Sequence, residues 1–345
     1  MTSIQNRKRG GMLIRSAFAT LAGAAMIAAS GATHALEKVT VRLDFSPLGF
    51  HTAMYLAKEK GWFEREGLDV TIQDGSGSLN TIQLVAAGQA DIGQVQLGLL
   101  VAARDKGLPL KSFAGYLRGS DLAVMVPRDS NINTLADLKG KKILCFTASP
   151  WAPFIDSFLA KGGLDRKSVD ITMVAPSAMA GLYSSGDADG FMSVAPHQVP
   201  LLEKARPAKT IRMADYGIHF PSYGLIATEK TLKERREMLE KFNKVQIEAW
   251  EYIWNGHEDE AVQAMIKQRP GVNLDPVSLK GQLDMNRPLF FTEATKGKRI
   301  GWQSEADWTA ALKSMKEAGI DVGSVKLEDL YTNDLMPAAA DKGES

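Results

Sequence analysis

The sequence predicts an α/β protein of two similar lobes, each built on a parallel-type sheet, with two crossings of the chain between them. Three observations carry this prediction. Short apolar runs rich in β-branched residues alternate with helical segments in two successive series. Ala87-Gly88-Gln89-Ala90-Asp91 closes a helix and enters a strand in the first series, and Ser185-Gly186-Asp187-Ala188-Asp189 does the same in the second. Between and after the series, Pro127 with Asn131-Ile132-Asn133, and Pro221-Ser222-Tyr223-Gly224, interrupt the alternation. Crossings are therefore expected near 122–128 and 220–226.

The elements follow in order. In the first series Val39 to Leu43 reads as a strand and His51 to Lys60 as a helix stopped by Gly61. Leu68 to Ile72 is the next strand. Ser78 is expected to cap a helix carrying Leu79, Ile82 and Val85, with Gly88 just past its end. Asp91 to Val95 is a strand, 97–106 a helix and 110–117 a fourth strand. The second series runs through a strand at 142–146, a helix at 153–160, strands at 171–174 and 190–194 with a helix at 178–184 between them, and a helix opened by Pro196. After Thr228 the pattern turns helical: Met238, Phe242, Val245, Ala249 and Tyr252 recur at helical spacing, with Trp250 and Trp254 beside them, and 307–318 is a further helix. These aromatics read as helix packing.

The first 35 residues read as a signal peptide: Arg7, Lys8, Arg9 and Arg15 precede an apolar stretch from Phe18 to Ala29, and Thr33-His34-Ala35 suits cleavage after Ala35. The expected organisation is thus 1–35 leader, 36–125 first part of lobe 1, 126–221 lobe 2, 222–334 return to lobe 1 with the C-terminal helices, and 335–345 a disordered tail. Of 41 basic residues four lie in the leader, leaving 37 against 40 acidic ones. That balance offers no basic surplus for nucleic acid. No later run is apolar enough to span a membrane. Cys145 is the single cysteine, so an intramolecular disulfide and a cysteine metal cluster are both excluded, and its place in Lys142-Ile143-Leu144-Cys145-Phe146 reads as a packed strand thiol.

In open parallel sheets, ligands bind beyond the carboxyl ends of the strands. Those ends bring rings (Phe45, His51, Tyr116, Trp151, His197) and amide, hydroxyl or carboxyl groups (Asp44, Ser76, Gln94, Gln96, Thr147, Ser193), with Pro196 and Tyr223 nearby. Rings grip flat ligands by stacking, and amides and hydroxyls supply directional hydrogen bonds. Ser76-Gly77-Ser78 and Thr147-Ala148-Ser149 are expected just before helix N-termini, where free N–H groups hold anions. Asp187 and Asp189 read as turn residues, although they form a carboxylate pair in sequence. The chain has no G-x-S-x-G, H-E-x-x-H or G-x-x-x-x-G-K-[ST] pattern.

The stretch Leu43-Asp44-Phe45-Ser46-Pro47 through Gly61-Trp62-Phe63-Glu64-Arg65-Glu66-Gly67-Leu68-Asp69-Val70 resembles the opening of the periplasmic substrate-binding proteins of ABC importers. The subgroup is that for nitrate, taurine, alkanesulfonates and thiamine-pyrimidine precursors. Residues 53–63, Leu84 to Gly93 and Leu135 to Ile143 carry the same resemblance. It implies the two-lobed periplasmic-binding-protein fold of type II, closing over a small ligand that is passed to a membrane permease and its ATPase. It also implies ligand contact by His51, by Trp151 and by the Ser193 to His197 segment. Sulfonate and nitrate sites need strong anion clamps, and Arg118 is the one cationic candidate at the strand ends. The expected function is therefore periplasmic capture of an aromatic heterocycle, a pyrimidine-type thiamine precursor, by a monomer without catalysis or cofactor. A taurine, alkanesulfonate or other organic-anion binder, an enzyme acting on a small heterocycle, and a sensor subunit are the alternatives.

Overall fold

A computed structural model describes residues 35–317 and 319–338. The expected leader and most of the expected tail lie outside the described residues. Ten strands form two five-stranded sheets. The first has the order β2-β1-β3-β10-β4, from β1 (Glu37–Arg42), β2 (Leu68–Gln73), β3 (Ile92–Gln96), β4 (Leu110–Gly115) and β10 (Tyr223–Thr228). The second has the order β7-β6-β8-β5-β9, from β5 (Leu122–Pro127), β6 (Lys142–Cys145), β7 (Asp170–Met173), β8 (Gly190–Val194) and β9 (Ala208–Arg212). In each sheet three strands run parallel, β1 between β2 and β3 and β6 between β7 and β8. A strand that arrives from the other half of the chain then inserts antiparallel, β10 between β3 and β4, and β5 between β8 and β9.

The repeated pentamer has a structural cause. Asp91 accepts the Thr40 N–H through Oδ2 at 2.8 Å, and its own N–H donates to the Thr40 carbonyl at 2.9 Å. Asp189 does the same with Lys142, at 2.9 and 3.0 Å. Each aspartate thus ties the start of the third parallel strand to the central one. This is the turn role expected of Asp189, and Asp187 accepts from the Ser185 hydroxyl at 2.6 Å.

The crossings lie elsewhere than expected. Residues 122–127 are a fully buried strand of the second sheet, and Tyr223–Thr228 is a central strand of the first. The chain crosses at 116–121 and again at 213–222. Pro127 ends β5 rather than marking a linker, because the apolar run Leu-Ala-Val-Met-Val before it is buried on both faces of a sheet.

Helices cover the sheets. α1 (Thr52–Glu59), α2 (Trp62–Arg65), α3 (Ser78–Ala86) and α4 (Gly98–Asp105) belong to the first half, and α5 (Ile155–Lys161), α6 (Met179–Ser184) and α7 (Ala195–Leu202) to the second. The C-terminal part adds α8 (Glu229–Glu234), α9 (Arg236–Tyr252), α10 (Glu258–Gln268), α11 (Pro276–Asn286), α12 (Glu305–Glu317) and α13 (Leu327–Leu330). The apolar stripe of α9 is buried, and Phe242 stacks on Phe63 at 5.1 Å. Trp250 is buried against Phe290 and Trp254, as helix packing requires. Cys145 is buried at the end of β6.

Candidate functional site

The carboxyl ends of both sheets face a cavity of about 60 Å³. From the first half it is lined by Asp44, Phe45, Leu48, Gly77, Ser78 and Tyr223, and from the second by Phe146, Pro150, Pro176, Met179, Ser193, Val194, His197 and Gln198. Phe45 and Phe146 come from opposite sheets, with ring centroids 6.5 Å apart and planes inclined at 46°.

Asp44 is the polar centre of this wall. Tyr223 donates its hydroxyl to Oδ2 at 2.7 Å, and His51 Nε2 lies 3.0 Å from Oδ1. His51 Nδ1 accepts the Leu48 N–H at 3.1 Å, which leaves its ring proton on Nε2, directed at Asp44. Burial, with Asp44 next in weight, raises Tyr223 well above the usual tyrosine range, so its hydroxyl remains a donor. His197 is 2% exposed and its Nε2 has no hydrogen-bond partner. Burial lowers it to about 3, against the pull of Asp44, so the ring is neutral at physiological pH.

Behind this wall a second network joins the crossings. Gln96 Nε2 donates to Asp121 Oδ1 at 2.7 Å, and the Ser222 hydroxyl meets both Gln96 Oε1, at 3.2 Å, and Asp121 Oδ2. Asp121 also accepts the Ala195 N–H at its carbonyl, at 3.0 Å. Burial raises the Asp121 carboxyl to about 6, while the bonds from Ser222 and Gln96 oppose the rise.

Of the thirteen candidates from the sequence, five line the cavity: Asp44, Phe45, Ser193, His197 and Tyr223. His51 and Trp151 stand one layer behind. His51 orients Asp44, and Trp151 Nε1 donates to the Ser193 carbonyl at 3.0 Å while its ring packs on Phe158. Gln96 belongs to the Asp121 network. Gln94 is buried with Oε1 unpartnered and does not line the cavity. Tyr116 turns into the core, where its hydroxyl finds Asn243 Oδ1 at 3.1 Å. Pro196 is buried in the first turn of α7, away from the cavity. Ser76 and Thr147 are exposed, Ser76 donating to Asn80 at 3.2 Å.

Of the two expected anion loops, Ser76-Gly77-Ser78 does lead into a helix N-terminus, α3, which has no side-chain cap and lines the cavity at Gly77 and Ser78, whereas 147–149 does not. Gly75 and Gly77 donate their N–H groups to the Phe45 and Asp44 carbonyls, and the Ser78 hydroxyl accepts the Gln96 N–H instead of capping α3. Residues 147–149 form a tight turn well before α5. Arg118 donates from Nε and Nη2 to the Gly115 and Arg299 carbonyls, leaves Nη1 buried without a partner, stacks over Phe291 at 5.2 Å and does not line the cavity.

Sequence reasoning missed Phe146, Leu48, Met179 and Gln198. Phe146 was detectable in principle: β6 ends at Cys145, one residue earlier than expected, which puts Phe146 at the strand end.

Two sheets with a narrow gap at their carboxyl ends, linked by two crossings, define the fold of the periplasmic binding proteins. The fold matches the solved periplasmic aliphatic sulphonate binding protein SsuA from Escherichia coli, with a TM-score of 0.62 at 14% identity, over 82% of this chain and 91% of that one. The chain belongs to the NMT1/THI5-like family, whose sequence model matches residues 49–261. It is similar to a formylaminopyrimidine-binding protein of Halalkalibacterium halodurans, 29% identical over 79% of this chain and 87% of the relative. It is also similar to a 4-amino-5-hydroxymethyl-2-methylpyrimidine phosphate synthase of Saccharomyces cerevisiae, 27% identical over 63% and 67%. The family thus holds proteins named as binders and proteins named as enzymes.

Proposed function

We propose that the protein is a periplasmic solute-binding protein that captures a small aromatic heterocycle, pyrimidine-type, and delivers it to an ABC permease and its ATPase. One observation carries this reading: the cavity between the sheets is walled by rings from both sides, and among its described lining residues Asp44 is the only formally charged one. A flat ring stacked against two others needs about 3.5–4 Å on each side. The Phe45 and Phe146 centroids are 6.5 Å apart with planes inclined at 46°, so admitting a flat ring between them takes a parting of the lobes together with a turn of one ring. Asp44, Ser193, His197 and Gln198 then supply hydrogen-bonding groups at its edge.

The name of the Halalkalibacterium relative supports a pyrimidine. A sulfonate or nitrate ligand fits poorly, because among the described residues no lysine or arginine lines the cavity and a carboxylate does. The mechanism is clamp-like: ligand docks on the Asp44 wall, and closure about the two crossings brings up Phe146, Ser193 and His197. His51 and Tyr223 are placed to hold a carboxylate still, which is a binding role. Titration calorimetry with 4-amino-2-methylpyrimidine, taurine and an alkanesulfonate tests this. Saturable binding of the pyrimidine is expected, and binding of taurine or the sulfonate alone would overturn it.

A further inference from the structure

We propose that the cleft takes its ligand as a cation, a nitrogen heterocycle protonated on a ring nitrogen beside an exocyclic amino group, with Asp44 as its counter-charge. The proposal rests on the ligand-binding reading above and names the charge state that the site selects.

The Asp44 carboxylate is surrounded by uncharged donors. The titratable or charged groups facing it are His51 from the turn before α1, Tyr223 from β10, His197 from α7 and, behind Gln96, Asp121 from the first crossing. None brings a positive charge. His51 offers a neutral Nε2–H, because its Nδ1 is occupied as an acceptor by the Leu48 N–H. Tyr223 offers a neutral hydroxyl. His197 is neutral, and Asp121 is another acid. Asp44 is nevertheless 5% exposed.

A buried carboxylate with neutral donors and no cation is an unfinished ion pair. Two oxygens offer about four lone-pair sites, and the protein fills two of them. The other two are free for the cavity that Asp44 lines. A protonated ring nitrogen and the amino group next to it present two parallel N–H donors, the geometry that a carboxylate accepts bidentately and with charge assistance. Phe45, Phe146 and Tyr223 line the same gap, and aromatic rings attract cations. An anion meets the same carboxylate, with only the neutral, uncapped first turn of α3 at Ser78 to offset it and no cationic side chain among the described lining residues.

The test uses 2-amino-4,6-dimethylpyrimidine, both of whose ring nitrogens stand beside the amino group, its 5-carboxylate, and an uncharged 2-methoxy analogue, titrated by calorimetry against the wild type and Asp44→Asn between pH 5 and 8. If only the cation binds, the apparent Kd of the amino compound weakens about tenfold per pH unit above the ring's own pKa. The methoxy compound binds at least tenfold more weakly and without that slope, and Asp44→Asn removes the slope for the amino compound. Far-UV circular dichroism and the urea unfolding midpoint of Asp44→Asn control for misfolding. A pH-independent Kd for the amino compound, or equal affinity for the carboxylate, overturns the cation proposal while leaving heterocycle capture intact. Failure of every ring compound to bind overturns both.

Discussion

At the residue scale, the site depends on two buried groups whose titrations oppose one another. Asp121 is raised by burial to about 6, so between about pH 4 and 6 the folded chain holds a proton that the unfolded chain has released. Its contribution is present at low pH and is lost as pH rises through 6. His197 is lowered to about 3, so between about pH 3 and 6.5 the unfolded chain holds a proton that the folded ring refuses. Its contribution is present above pH 6.5 and is lost as pH falls. The two slopes partly cancel in the wild type. On acidification from pH 7 to 5, Asp121→Asn protein is expected to lose about 1–2 kcal/mol more stability than the wild type, and His197→Asn protein to lose about 1–2 kcal/mol less. Denaturant unfolding at the two pH values measures this, and parallel behaviour of all three proteins would count against it. Neither environment was legible in the sequence. His197 stood out as a ring at a strand end, but its neutrality follows from burial beneath α11. Asp121 carried no signal at all, because its partners lie at Gln96 and Ser222, far away in the chain.

At the scale of elements, α11 is the piece that the sequence left unassigned and that spans the site. Gln282, fully buried, accepts the Gly49 N–H at 2.6 Å and donates to the His197 carbonyl at 2.7 Å. One side chain therefore links the turn that carries His51 to the helix that carries His197. Gln282→Ala leaves two buried backbone groups without partners, at about 1–3 kcal/mol each. A drop of that order in unfolding free energy is expected, together with faster ligand release in stopped-flow dissociation; an unmoved unfolding midpoint would rule out a structural bridge. The strands show where legibility stopped. β6 and β8 were evident because parallel strands with both faces buried read as apolar runs, and β1 because its β-branched Val39, Thr40 and Val41 stand together. β5 and β10 read as linkers, because Pro127, Ser222 and Gly224 punctuate them and pairing partners from the other half of the chain are invisible locally. The strand end at Cys145 mattered most, since it leaves Phe146 beyond the strand, where it lines the cavity.

At the scale of the whole molecule, the lobes meet across the cavity at a glycine. Gly77 has φ of +125°, and a Cβ there would stand 2.7 Å from the Ala148 carbonyl oxygen on the other side. Gly77→Ala combines a strained backbone, at about 1–3 kcal/mol, with a collision relieved by parting the lobes. The variant is expected to show a larger radius of gyration in small-angle scattering, and a more than tenfold loss of affinity for the pyrimidine probe. An unchanged radius with unchanged affinity would show that the lobes do not close at this contact.

The sequence by itself determined the two-lobed α/β class, the internal echo and the family, because these rest on local periodicity and on short motifs such as Gly61-Trp62-Phe63. It also singled out Asp44, Phe45, Ser193, His197 and Tyr223, since strand ends can be read in one dimension. Only the tertiary structure decided which candidates share a cavity, that Tyr116 and Trp151 turn inward, that Gly75 and Gly77 spend their N–H groups on the Phe45 and Asp44 carbonyls, and that Asp44 stands without a cation. The physical reason is the same in each case. Burial and hydrogen-bond partnership depend on atoms brought together from distant parts of the chain, and the charge a cleft prefers is set by what surrounds one carboxylate in space.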